Sequence, residues 1–222
     1  MIKIENDEVF GWDAALRGMR NPLDSWHKSD SYWTHIEDPE TLETANYQHF
    51  MGDNDLKLAQ SLSRAGKDHA KYLRMINVTC DLVAPLYWWK EFDTYKVGTV
   101  ANSCSTMHTI HKRPFEYDDF SCEHLIDFSY QIVLKQTIDA LNHYRGEYLR
   151  TQDKFNWWQM IQLLPQSYNQ RRTVQLNYQV LQSMYFARRN HKLSEWHELC
   201  DWALELPHFK ELCVDPMGGE RP

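Results

Sequence analysis

Residues Ala84 to His108 read APLYWWKEFDTYKVGTVANSCSTMH, and the rest of the chain is organised around them. Pro85 ends an apolar strand, and the aromatic block Tyr87, Trp88 and Trp89 follows it. A polar segment around Gly98 then gathers Asn102, Ser103, Ser105 and Thr106 within a few residues. Such hydroxyls have two explanations. Serine, threonine and asparagine satisfy free N–H groups at a helix start, so the cluster can simply cap the next element. Clustered hydroxyls and backbone N–H groups beside a cation also bind nucleotide phosphates and sugars, and Lys90, Glu91 and Lys96 stand close by.

Upstream, NVTCDLV alternates, with Val78, Cys80 and Leu82 on one face and Thr79, Asp81 and Val83 on the other, as a half-buried strand requires. Before it, Leu56, Leu58, Ala59, Leu62 and Ala65 form the apolar stripe of a helix capped by Asp53 or Asn54 and broken at Gly66. A further helix start is expected at Asp38-Pro39. The opening segment from Glu8 to Asn21 begins as a strand and turns helical, with Arg17 and Arg20 on one side. Pro22 to Pro39 reads as a loop with turns, in which Trp26, Tyr32 and Trp33 either stack on a ring or, more commonly, anchor the loop to the core.

Downstream, Phe120 to Arg150 contains no proline and carries Leu125, Phe128, Ile132, Leu134, Ile138 and Leu141, which predicts a long helix. A second helical run is expected from Gln170 to Arg189, where Val174, Asn177, Leu181, Met184 and Arg188 recur at steps of three and four. Ser194 then caps a last helix, and residues 215–222 are expected to fray.

The 222 residues suit one domain able to bury a proper core. A formal charge of -7 disfavours polynucleotide and anionic membrane as partners. No apolar run is long enough for a signal peptide or a membrane span, which points to the cytoplasm. The five cysteines show no C-x-x-C spacing and the eleven histidines no H-E-x-x-H spacing, so neither a disulfide framework nor a metal site is expected.

The order His69, Ala84-Pro85, Thr94-Tyr95-Lys96, Asn102 and Ser105 resembles the signature region of the flavin-dependent thymidylate synthase family. That family carries Arg-His-Arg, two residues, Ser, one residue, Asn-Glu, one residue, Ser, one residue, Arg-Tyr. Its triad falls on Thr94, Tyr95 and Lys96, its first Ser on Thr99, and, after a one-residue insertion, its second half on Asn102, Ser103, Ser105, Met107 and His108. Asn102 and Ser105 are identical. The second half of the chain resembles the family as well, with Leu164-Pro165, Asn177, Gln179 in place of an Arg, and Arg188 where the last Arg belongs. Leu193-Ser194-Glu195-Trp196 falls on its Ala-Gln-Trp-Glu.

The resemblance implies an α+β fold, a single domain with a small mixed sheet flanked by long helices. It also implies a homotetramer with sites at subunit boundaries, where FAD reduced by NADPH helps move a one-carbon unit from methylenetetrahydrofolate to C5 of deoxyuridine monophosphate (dUMP). Carried over, Ser105 and Arg188 become the candidate catalytic residues. Arg188 and Ser105, with Glu91 and Ser103, hold the nucleotide; His69, Lys96, Asn102 and Asn177 lie at the cofactor. The chain departs from the pattern at Thr94, Tyr95, Ser103, Met107, His108, Ile161 and Gln179, losing cations that Lys71 and Arg74 either replace or, as ordinary solvated surface, do not. The alternative is a non-catalytic nucleotide-binding protein on the same scaffold that has lost flavin binding.

Overall fold

The computed structural model describes residues 2–36 and 46–218, which gather into two compact units. The first takes in the chain through Asn6 together with Cys80–Val174 and Leu193–Glu195; the second takes in Asp7–Thr79, Gln175–Lys192 and the chain from Trp196. In chain order the elements are β1 (Lys3–Phe10), α1 (Trp12–Arg20), β2 (Tyr32–Ile36), β3 (Asn46–Phe50), α2 (Asp53–Arg64), β4 (Asn77–Pro85) and α3 (Leu86–Phe92). They continue with β5 (Thr99–Ser103), α4 (Thr106–Thr109), α5 (Phe128–Thr151), α6 (Lys154–Leu163), β6 (Asn169–Asn177), α7 (Tyr178–Arg188) and α8 (Ser194–Glu205). One sheet has the order β1-β4-β6-β5, and β2 pairs antiparallel with β3. The Leu86 N–H bonds the Tyr168 carbonyl while the Thr173 hydroxyl bonds Asp81, so β4 and β6 run antiparallel.

In the first unit the sheet is closed by α3, whose Trp88, Trp89 and Phe92 are buried and pack ring against ring. Leu134, Ile138 and Leu141 form the inner stripe of α5 at steps of four and three. They bury against Met160 of α6, Ile110, Phe115 and Phe120. In the second unit α1 packs on a short 3-10 segment, Ala70–Arg74, and α7 packs on the same segment. Trp12 is the centre of an aromatic group there, stacked on His49 at 4.9 Å and edge-on to Tyr178 and His208. Gly11 must be glycine: its φ is 97°, and a Cβ would stand 2.1 Å from the Met75 carbonyl oxygen. Asp55, wholly buried in α2, accepts bonds from the Nε of Arg20, the hydroxyls of Ser29 and Ser31, and the N–H groups of Asp30 and Ser31.

Several sequence expectations are corrected. Helix α2 is not capped by Asp53 or Asn54; its free N–H groups at Asn54 and Asp55 bond the carboxylate of Asp30. The stretch from Pro22 contains a strand, β2, and Trp26, Tyr32 and Trp33 lie exposed instead of anchored in the core. Their polar atoms and faces are held at the surface: Trp26 bonds Asn21, Trp33 bonds Asp13, and Tyr32 lies against Phe50. The expected helix start at Asp38-Pro39 lies outside the described residues.

The long helix starts at Phe128, where Asp127 accepts the Ser129 N–H, and not at Phe120, which forms a bridge with Tyr168. Gln170 to Arg189 is a strand followed by a helix, because Asn177 stops the ladder and caps α7. Asp215–Met217 forms a further turn with Pro216 buried, so this part of the expected frayed tail is packed.

Candidate functional site

Within the first unit the central stretch sorts into anchors and exposed polar groups. Trp89 donates its indole N–H to the Gln170 carbonyl at 3.0 Å, and Arg172 lies 4.2 Å over its ring while pairing with Asp93 at 2.7 Å. Trp89 therefore fastens α3 to β6. Behind it, the Thr94 hydroxyl donates to the Glu91 carbonyl at 2.7 Å and the Thr99 hydroxyl to the Tyr95 carbonyl, closing the turn that leads into β5. Glu91 is half-buried, whereas Lys96, Asn102 and Ser103 are exposed. Ser105 precedes α4 in the N-cap position but makes no side-chain cap bond; its carbonyl accepts both the N–H and the hydroxyl of Thr109.

A cleft of about 380 Å³ lies beside that serine, lined by its neighbours Cys104, Thr106 and Thr109 together with Lys112, Arg113 and Arg171. Two of the three cations are committed. Arg113 forks onto both oxygens of Asp119, which raises its pKa further, and Arg171 reaches Glu5 at 2.5 Å and Asp81 at 3.3 Å. Lys112 pairs with no carboxylate among the described residues and is the cation left for an anion in this cleft. Tyr168, also in the lining, keeps its phenol proton because burial raises its pKa. Sequence reasoning missed Lys112 and Arg113, although the run His111-Lys112-Arg113-Pro114 following α4 was available as a signal.

The second unit holds His69, Asn177 and Arg188. His69 is exposed at the start of the Ala70–Arg74 segment. The Asn177 side-chain oxygen accepts the Val180 N–H at 3.0 Å, so it is spent on starting α7. Arg188, half-buried at the end of α7, lies 4.7 Å over the Trp196 ring. Arg74 donates to the side-chain oxygen of Gln179, while the amide nitrogen of Gln179 is buried and finds no partner among the described residues. A cation from the 3-10 segment thus stands against the position where sequence reasoning expects a helix arginine. Among the described residues no group of three or more His, Cys, Asp and Glu gathers as for a metal ion, and no helix is long and apolar enough to cross a membrane.

No protein-family model matches this chain, and no curated protein matches it in sequence. Solved structures do match in fold. A flavin-dependent thymidylate synthase ThyX from Helicobacter pylori, complexed with FAD and dUMP, superposes with a TM-score of 0.66 at 16% identity, over 96% of this chain and 98% of that one. A second structure of Thymidylate Synthase X from the same organism, also with FAD and dUMP, gives a TM-score of 0.68 at 16% identity over 98% and 99%. At that identity the likeness establishes the α+β, ThyX-like fold class and nothing finer.

Proposed function

We propose that this protein binds a pyrimidine deoxynucleotide, dUMP by default, and acts at its C5 as a divergent relative of the flavin-dependent thymidylate synthases. The end-to-end agreement in fold with two such enzymes holding FAD and dUMP supports the proposal. The observation that carries it is the Arg74–Gln179 pair. Where the family resemblance expects a helix arginine, this chain has a neutral side chain with a guanidinium brought to it from another element. A charged pocket that is re-tuned requires an exchange of this kind. In this scheme Arg188 of the second unit is the phosphate clamp, and Ser105 of the first, whose hydroxyl makes no cap bond, is a nucleotide residue with Glu91 and Ser103; neither unit holds the whole set by itself.

The flavin fits less well. Of the residues assigned to it, His69 and Asn177 belong to one unit and Lys96 and Asn102 to the other, and the Asn177 oxygen is already used within its own helix. These four residues therefore do not gather within one unit, and no redox step is assigned to them. FAD, NADPH and methylenetetrahydrofolate belong to the proposal only if a second copy completes the site, as in a tetramer with sites at subunit boundaries. The apolar residues flanking the start of α5 support such association, since Ile126 is 89% and Phe128 75% exposed. The same proposal places the protein in the cytoplasm. The spent Asn177 oxygen favours the second possibility, a nucleotide-binding protein on this scaffold that has lost the flavin.

Absorbance of the purified protein in the flavin band, followed by a dUMP titration, tests both. Saturable dUMP binding is expected. A yellow protein supports the enzyme, a colourless one the flavin-free binder, and absence of dUMP binding rejects both. Arg188→Ala should weaken dUMP by roughly ten- to a hundredfold, the value of one charge-assisted hydrogen bond. An unaltered affinity would take Arg188 out of the site.

A further inference from the structure

Apart from every residue assigned to the nucleotide, the second unit contains a cleft of about 270 Å³ at the end of α1, lined by Asp13, Arg17, Arg20, Trp26, Ser29 and Ser31. Arg20 is 4% exposed and is fixed on two sides: its Nε donates to Asp55 at 2.6 Å and its Nη1 to the Ser25 carbonyl at 3.2 Å. Its Nη2 is buried and has no partner among the described residues.

The protein's own acceptors do not meet it. One oxygen of Asp55 holds the Nε of Arg20, and the other accepts the Ser29 and Ser31 hydroxyls at 2.7 Å and the Asp30 and Ser31 N–H groups at 3.1 Å. Both serines turn their protons to Asp55, and Ser31 in turn accepts the Gly52 N–H at 3.0 Å. Arg20 is thus a residue of the cleft lining whose buried Nη2 keeps its donors unspent.

The rest of the lining completes a site. Arg17 lies three residues before Arg20, on the same side of α1, and is exposed. Trp26 is 49% exposed, and the bond from its indole N–H to Asn21 at 2.8 Å holds its ring in place. Asp13, the one acidic lining residue, is engaged by the Trp33 indole N–H at 3.0 Å.

We infer that this cleft binds an oxyanion, a phosphate or phosphate ester, taken by Nη2 of Arg20 with Arg17 as the second cation. An oxyanion is the ligand that brings acceptors alone, in the planar spacing a guanidinium edge offers. A phosphate ester with a flat substituent would place that group on the Trp26 ring.

Nuclear magnetic resonance of the full chain tests this, with the Arg20 Nε–H and Trp26 indole N–H as local reporters. Inorganic phosphate, added at constant ionic strength, should shift both signals saturably. Arg17→Ala should weaken the response about tenfold. Arg20→Lys keeps a charge against Asp55 but lacks Nη2, and should abolish the response; if that variant does not fold, Arg17→Ala decides. Phenyl phosphate binding tighter than inorganic phosphate identifies an ester seated on Trp26, and equal affinities identify free phosphate; either outcome supports the site. A response that does not saturate, that chloride reproduces, or that Arg17→Ala leaves unchanged overturns it. Arg188→Ala should leave the response intact, so failure here and failure of the nucleotide proposal are separable.

Discussion

His49 shows how much one buried side chain can set. Its ring is stacked on Trp12 and edge-on to Trp33, and its Nδ1 has no partner among the described residues. Burial, and then the nearby His208, lower its pKa from the ordinary 6.5 to about 4, against smaller opposing effects of Asp13 and Asp55. The fold thus prefers the neutral ring. Its contribution is present above the unfolded value of 6.5 and is lost as the pH falls towards 4, a change of roughly 3 kcal/mol at most. His49→Phe keeps the stack and removes the proton, so urea midpoints measured from pH 7 to 4 should fall less steeply than in the parent; parallel curves would show that His49 does not control the acid limb. None of this was legible beforehand, since eleven histidines scattered along a chain carry no mark of which one is buried. Arg20 and Asp55 escaped for the same reason: 35 positions apart, each reads as an ordinary surface charge until the fold brings them to 2.6 Å.

Among the elements, the junction of β6 and α7 is the most instructive. Val174, Asn177 and Leu181 recur at helical steps, yet Val174, Leu176 and Tyr178 recur at steps of two and are all buried. Both periods fit the same letters, and the strand prevails because pairing with β4 fills the sheet. Asn177 marks the change by accepting the Val180 N–H. Asn177→Ala should destabilise by about 1 kcal/mol, and Asn177→Asp, which keeps the acceptor, should recover most of it in chemical denaturation. Equal losses in the two variants would mean that the asparagine is needed for something other than the cap. Strand β4 was legible because its alternation is strict, with Val78, Cys80, Leu82 and Ala84 buried and the residues between them only partly so. The start of α5 was not, because apolar residues on both sides of Asp127 conceal the cap.

At the scale of the molecule, the apolar residues Ile126, Phe128, Tyr130 and Val133 remain outside the core of a single chain. Ile126 lies just before α5 and the others in the first turns of that helix, whose later turns bury Leu134, Ile138 and Leu141 in the ordinary way. Sedimentation should therefore find the protein associated, and Phe128→Glu should shift it towards monomer with little loss of helix content; an unchanged sedimentation coefficient would show that this face is not the contact. The fold class was legible through the family resemblance, and the solved structures agree with it at 16% identity. The cleft beside Ser105 was less so, because Lys112 and Arg113, which line it, stand at positions that no motif marks.

In the second unit, side chains of Gln60, Ser63 and Gln182 hold the carbonyls of Glu211, Leu212 and Cys213. Its early helix α2 is thus completed by a segment roughly 150 positions further along the chain. On a translating ribosome, α2 must wait while the first unit's later parts, Cys80–Val174 and Leu193–Glu195, are made, at about 5–20 residues per second. For that interval of many seconds it exposes apolar surface, and chaperone demand during synthesis should track codon speed between residues 80 and 214 more than the stability of the finished protein.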